Sequence, residues 1–355
     1  GLLAQQHEVH AISPTDAYTP KLIDAGCKFT PIDIDNTGTN PLKDFALTSA
    51  LYKVYKKINP DIILHFTIKP NIYGTIAAQL LGIPVINNVS GLGTIFLQKN
   101  IASNVAMPLY KLAFKFPKKV FFQNDDDCQL FIDLKLIKED KTEILPGSGI
   151  DTEFFKPLKA DDGRLFTFLI IARLIREKGI LEYVEAAQLL KDKGIAAEFQ
   201  ILGAKAPNHK RKISPEKIDS WNNMGVIRYL GEVEDVRPII RNADCVVLPS
   251  YREGTPRTLL EAASMGKPIV ASDVPGCNHV VTDHFNGFLC RVKDVHDLAA
   301  KMEQMIEVGE KKRNWMGANS REKISKDYGE HIVIDKYLSA IAEILDHELV
   351  GNKAF

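Results

Sequence analysis

The chain has 355 residues, and its 45 Lys and Arg balance 45 Asp and Glu, so the formal net charge is zero with 25% of residues charged. That balance gives no electrostatic footing for nucleic acid as a main partner, and the length suits two domains better than one core. The five cysteines (27, 128, 245, 277, 290) form no CxxC pair and have no His at ligand spacing, which reads as reduced thiols in a cytosolic protein without a zinc site; no apolar run reaches the roughly 18 residues of a membrane span, and no signal peptide is visible.

In chain order, GLLAQQHEVHAIS reads as a helix tail running straight into a strand. A Rossmann-like domain begins with a strand and a βα loop, so the pattern predicts that both are missing here, with a ligand loop among the losses. Strands are then expected at His7 to Ile12, Lys28 to Ile32, Asp61 to Phe66, Pro84 to Asn88, Lys119 to Phe122, Thr142 to Leu145, Phe166 to Ala172, Ala197 to Leu202, Val226 to Leu230, Asp244 to Leu248 and Pro268 to Ala271. Helical stretches separate most of them. The alternation predicts an α/β fold of two successive doubly wound, Rossmann-like domains. Turn formers and charges in PGSGIDTEFFKPLKADDGR, 146–164, mark the seam, giving domains over 1–150 and 151–330 and a C-terminal helix over 331–355 that returns to the first domain.

The stretch EGTPRTLLE, Glu253 to Glu261, follows the strand ending at Leu248 and precedes another at 268–271, which makes a βαβ unit whose loop opens at the carboxyl end of a parallel sheet. Thr255 is expected as helix N-cap with Pro256 at the first helical position, and Gly266 as the C-terminal stop. First-turn N–H groups favour an anion such as phosphate. A carboxylate beside that site repels phosphate, so Glu253 is expected to face neutral hydroxyls, and the combination points to a sugar phosphate. In IARLIREKG, 171–179, Arg173 and Lys178 stand at the end of a strand, where two cations can clamp a diphosphate; read alone, they are equally a solvated helix start. The three acids of NDDDC, 124–128, read as helix capping rather than a metal motif.

Together these motifs resemble the retaining nucleotide-sugar glycosyltransferases of family 4, whose GT-B architecture sets two Rossmann-like domains facing each other across a cleft. The resemblance rests on Glu253 and Glu261, on Arg173 and Lys178, and on PGSGIDTEFFKP (146–157), YLGEVEDVRPIIRNADCVVLPS (229–250) and NGFLC (286–290). HFTIKPNIYG (65–74) and NNVSGLGTIF (87–96) resemble a bacterial surface-polysaccharide branch, with capsule and O-antigen as products, that builds on undecaprenyl diphosphate. The resemblance implies an acceptor-binding first domain and a donor-binding second one. Arg173 and Lys178 would hold the donor diphosphate, Glu253 the transferred sugar and Glu261 the ribose, with Gly254, Thr255, Pro256, Arg257, Thr258 and Gly149 completing the donor site. It further implies retention by front-face transfer, since no nucleophile for double displacement stands out, a UDP-sugar as substrate, and no metal or other cofactor.

Many family members carry a His where this chain has Ser90. The candidates left for the acceptor or cleft are therefore His65, Lys69, Ser90, Gly91 and Gly93, with a partly buried structural role the competing reading of His65. LGAKAPNHK, 202–210, departs from the usual Gly-rich turn and leaves the base contacts open. Between Asp61 and Asp125 there is no acid, whereas Lys69, Lys99, Lys111, Lys115, Lys118 and Lys119 fall inside. Leu109, Leu112, Ala113 and Phe116 at helical spacing beside these lysines suit an anionic membrane surface, placing the protein on the inner face of the cell membrane; an ordinary core helix with exposed lysines reads the same. A nucleotide-sugar 2-epimerase of the same architecture and a non-catalytic sugar-binding subunit remain the alternatives.

Overall fold

A computed structural model describes residues 1–35, 40–92, 101–206, 209 and 211–351. The chain divides into two compact units, Gly1–Leu145 with His331–Phe355, and Pro146–Glu330.

In the first unit, β1 (His10–Ser13) pairs in parallel with β2 (Lys28–Pro31), while β3 (Ile63–Phe66), β4 (Val85–Val89), β5 (Lys119–Phe122) and β6 (Thr142–Ile144) form a separate parallel sheet in that order. The connecting helices are α1 (Thr19–Asp24), α2 (Pro41–Ile58), α3 (Thr75–Gln79), α4 (Ile101–Ala113) and α5 (Asp125–Asp133), and a π-helical turn, Pro70–Gly74, precedes α3. Local chemistry fixes the ends of these helices. Asn40 accepts hydrogen bonds from the N–H groups of Leu42 and Lys43 ahead of Pro41, and Asn124 accepts from the N–H of Asp127 with three acids in the first turn of α5.

The second unit holds a six-stranded parallel sheet, β7 (Phe166–Ile171), β8 (Ala197–Leu202), β9 (Arg228–Tyr229), β10 (Cys245–Leu248), β11 (Ile269–Ser272) and β12 (Gly287–Cys290), in the order β12-β11-β10-β7-β8-β9. Its core strands are nearly continuous apolar runs because helices cover both faces. Those helices are α6 (Ile180–Asp192), α7 (Pro215–Asn223), α8 (Arg237–Arg241), α9 (Arg257–Ser264), α10 (Cys277–Val280), α11 (Val295–Glu307) and α12 (Gly309–Asp327). The last helix, α13 (Glu330–Gly351), returns to the first unit. Val333, Ala340, Ile341 and Ile344 bury against Ile86, Phe121 and Leu145, and Lys336 donates to the Ile144 carbonyl at 2.8 Å.

Strand centres fall where the alternation places them, with different ends: β1 begins at His10 rather than His7, and β9 keeps two residues of the five expected. The strand β12, within NGFLC, was not expected. All five cysteines are free thiols, four of them buried.

His65 is a core residue and not a cleft residue. Asn87 donates through Nδ2 to the Asn71 carbonyl at 3.1 Å, so its Oδ1 must accept, and it takes the Nδ1–H of His65 at 3.0 Å. Nε2 is then the acceptor, and the Tyr55 hydroxyl donates to it at 2.9 Å. A Cβ on Gly74 would lie 2.4 Å from that Nε2, which is why the turn passes the ring at a glycine. Burial, only partly offset by the Asn87 bond, lowers the imidazole pKa to about 4. Both folded and unfolded states are neutral above about pH 6.5, where this contribution is complete; as pH falls toward 4 the unfolded chain takes up the proton first and stability is lost. Denaturation between pH 7 and pH 4 should therefore show about 3 kcal/mol more acid loss in wild type than in His65→Gln. Parallel curves for the two proteins would refute the assignment.

Candidate active site

In the second sheet the chain runs outward from β7 through β8 to β9, then returns to place β10 on the other side of β7. The crevice beyond the carboxyl ends of β7 and β10 is therefore the point where strand order reverses, the place where open α/β sheets bind ligands. Arg173 and Lys178 leave β7 there, and Glu253 leaves β10.

Glycines close these loops on one another. Gly179 has φ +71, and a Cβ on it would lie 2.1 Å from the Pro249 carbonyl oxygen. Tyr251 N–H donates to the Glu177 carbonyl at 2.9 Å, and Glu253 N–H to the Pro275 carbonyl at 3.2 Å. Gly276, at φ +84, carries the loop after β11 so close that a Cβ would stand 2.3 Å from the Gly254 oxygen. The result is an ion pair, Lys178 Nζ to Glu253 Oε1 at 2.5 Å, with both side chains largely buried. Glu253 was expected to face neutral hydroxyls; one of its oxygens is engaged by the lysine. Arg173 is exposed and, among the described residues, pairs with no carboxylate.

Glu261 is buried within α9 and receives Arg257 Nε at 3.0 Å. Burial raises its carboxyl pKa, and Arg257 opposes that rise. The helix starts one residue later than expected. Pro256, with extended backbone, is the N-cap, and Arg257 is the first helical residue. Thr255 instead abuts Gly147, whose Cβ would lie 2.8 Å from the threonine Cβ; Gly266 ends the helix at φ +72 as expected. Gly149, also in the seam, packs on the backbone of Glu330, where a Cβ would be 2.6 Å from Cα, so its positive φ joins the two ends of this unit. Gly147, Gly179 and Gly276 escaped the sequence reading because nothing local marks which carbonyl a glycine will meet.

In the first unit, Lys69 is not free: its ammonium pairs with Asp44 at 2.8 Å, and Tyr73 donates to the other Asp44 oxygen at 2.8 Å. Lys119 pairs with Glu143 and Glu343. The acid-free stretch of sequence is thus neutralised at these two positions by acids from other elements. Lys111, Lys115 and Lys118 are exposed. The apolar set beside them divides, since Ala113 is buried, Leu109 partly so, and Leu112 and Phe116 stand out among the lysines at 47% and 36% exposure. Ser90 is exposed and Gly91, at φ +138, half-buried just past β4; Gly93 lies outside the described residues.

The sequence matches the family Glycosyl transferases group 1 over residues 150–323 and Glycosyl transferase 4-like over residues 1–124. It is 32% identical over 361 residues, covering 96% of this chain and 92% of the relative, to the N,N'-diacetylbacillosaminyl-diphospho-undecaprenol alpha-1,3-N-acetylgalactosaminyltransferase of Campylobacter jejuni. A UDP-Gal:alpha-D-GlcNAc-diphosphoundecaprenol alpha-1,3-galactosyltransferase of Escherichia coli is 28% identical over 308 residues, 83% of this chain and 78% of that one. In fold, a glycosyltransferase from Rickettsia africae superposes with a TM-score of 0.80 at 19% identity, covering 97% and 92% of the two chains, and Anabaena HepE in complex with UDP-glucose with 0.77 at 19%, covering 95% and 92%. The chain belongs to the family-4 glycosyltransferases of GT-B architecture. It is accordingly an enzyme that transfers glycosyl groups, and the epimerase and non-catalytic alternatives are not favoured.

The loop closure can be tested without substrate. Gly194 has φ +79 with nothing within 4 Å of its Cβ position, so Gly194→Ala should cost only the left-handed backbone term, about 1–2 kcal/mol. Gly179→Ala adds the collision with Pro249 and should cost about 1–3 kcal/mol more. Equal losses in thermal denaturation would show that the close approach is not a constraint.

Proposed function

We propose that the protein transfers a hexosyl or N-acetylhexosaminyl group from a UDP-sugar to a glycan carried on undecaprenyl diphosphate, with retention of configuration and without a metal ion. The observation that carries this reading is the likeness, along almost the whole chain, to a Campylobacter enzyme whose name specifies a sugar acceptor on diphospho-undecaprenol. Both relatives form alpha linkages, and UDP-galactose holds its sugar as the α-anomer, which supports retention.

Arg173 and Lys178 bind the donor diphosphate and neutralise the charge that develops as it leaves. Glu253 keeps Lys178 oriented through Oε1 and receives sugar hydroxyls on its second oxygen. Glu261, braced by Arg257, receives the ribose hydroxyls, and the backbone from Gly254 to Thr258 cradles phosphate. With both carboxylates committed to binding, the acceptor hydroxyl attacks on the face the phosphate leaves. That phosphate takes the hydroxyl proton as the new glycosidic bond forms.

A panel of UDP- and GDP-sugars with and without lipid-linked acceptor tests the reaction in full-length protein. Product should require both a UDP-sugar and the acceptor. Arg173→Ala or Lys178→Ala should cut turnover roughly 10–100-fold, as expected for loss of one charge-assisted bond. Glu253→Gln should impair transfer more than UDP binding, and Glu261→Ala should weaken UDP itself. Calorimetry with UDP giving the reverse order would overturn the two carboxylate roles, and transfer at wild-type rates in both cation variants would remove the clamp.

The membrane reading rests on Lys111, Lys115 and Lys118 around exposed Leu112 and Phe116. Each exposed cation near an anionic leaflet contributes about 1 kcal/mol, screened by salt. Protein should co-sediment with anionic liposomes at low salt and lose most of that binding when these three lysines become Gln. Equal sedimentation with neutral vesicles would sink the idea.

A further inference from the structure

The carboxyl edge of β3 and β4 departs from regular structure in several ways within a short stretch. Thr67, a β-branched residue, has φ +69, and the Pro70–Gly74 turn that follows is π-helical. Such features cluster at functional sites. Asn71, in that turn, is 2% exposed. Its Nδ2 donates to the Asn88 carbonyl at 2.8 Å, which fixes the amide orientation, and Oδ1 is left with no donor. Its backbone is fully engaged, N–H to Thr67 and C=O to Thr75 Oγ1 and Asn87 Nδ2. Asn88, 5% exposed, meets the Tyr337 hydroxyl with one end of its amide. A hydroxyl can donate or accept, so either orientation of Asn88 leaves the other end unpaired. Buried polar atoms left without partners are rare because each costs free energy, and two on one sheet edge ask for a ligand.

The chemistry of that ligand follows from the surroundings. Asn71 Oδ1 needs a donor. The nearby carboxylate, Asp44, has one oxygen on Lys69 and the other on Tyr73, so no free anion is there to hold a cation. The donor is therefore a neutral hydroxyl or amide N–H. Phe66, the last residue of β3, is 49% exposed and its ring lies 6.3 Å from that of Tyr337, offering an apolar face at the same edge. A pyranose ring supplies both a hydroxyl donor and an apolar C–H face.

We propose that Asn71, Asn88 and Phe66 form a subsite for the sugar of the glycosyl acceptor. This rests on the transferase reading, because the residues assigned to the donor (Arg173, Lys178, Glu253, Glu261) all belong to the other unit. The sequence reading singled out Ser90 and Gly91, just past β4, and passed over the two asparagines, whose value lies in hydrogen bonds to residues far along the chain.

Two measurements on full-length protein decide it. In saturation-transfer NMR with methyl α-glycosides of glucose, galactose and their N-acetylamino forms, wild type should bind at least one, and Asn71→Ala and Phe66→Ala should each weaken that binding about tenfold while UDP affinity stays unchanged. In transfer assays the same variants should raise acceptor KM about tenfold with donor KM unchanged, and an acceptor lacking the recognised hydroxyl should show no further loss in Asn71→Ala. Phe66 is half-exposed, so Phe66→Ala keeps the test open should Asn71→Ala fold poorly. A wild type that binds none of the glycosides, or variants that match it in both readouts, overturns the subsite and means that buried water satisfies the asparagines. If wild type transfers sugar but the variants behave normally, the subsite alone fails; if glycoside binding is lost in the variants yet wild type transfers nothing, the subsite stands and the transferase assignment of substrates falls.

Discussion

The Pro249 carbonyl oxygen occupies the space in which any side chain on residue 179 would have to begin. That one exclusion lets the loop after β7 lie against the loop after β10, and most of the second unit's chemistry depends on it. Strand order supplies the two loops by making β7 and β10 neighbours, although 75 residues separate Lys178 from Glu253. The glycine removes the last steric obstacle between them, and Tyr251 fastens the contact through the Glu177 carbonyl. The lysine and the glutamate then meet where water is largely excluded. An ion pair so placed adds little net stability, because desolvation offsets attraction, but losing either member strands a charge. Its effect is mainly to fix geometry.

The same pattern of local compensation governs the first unit. Asp44 meets Lys69 and Tyr73, and Lys119 lies between Glu143 and Glu343. A stretch without acids along the chain is therefore not a basic surface in space. What stays outward is narrower, namely lysines on and just past α4 with Leu112 and Phe116 between them.

The sequence made legible whatever depends on period and spacing. Apolar runs located the strand centres, and Glu253 and Glu261, eight positions apart, announced a loop followed by a helix. Reading β10-α9-β11 as a βαβ unit located the loop of Glu253 at the carboxyl end of the sheet. Pairings set by topology were out of reach: Glu253 with Lys178, Lys69 with Asp44, and the ring of partners that Tyr55, Thr75 and Asn87 make around His65. For His65 the sequence left a cleft role and a buried structural role open, and only its three-dimensional neighbours decide for a neutral core imidazole. The helix begins one residue later than the spacing places it, and Thr255 lies against Gly147 in the seam, a contact across more than a hundred residues of chain.

The closing helix α13 has a consequence for how the molecule is made. The first unit is encoded first, yet Val333, Ala340, Ile341 and Ile344 complete the packing of its Ile86, Phe121 and Leu145, and Tyr337 reaches Asn88. A nascent chain emerging from the ribosome exposes those apolar strands until α13 has been synthesised, whereas the described strands of the second unit are all complete by Cys290. Vectorial synthesis thus favours the second unit maturing first, with the earlier-encoded one waiting for α13.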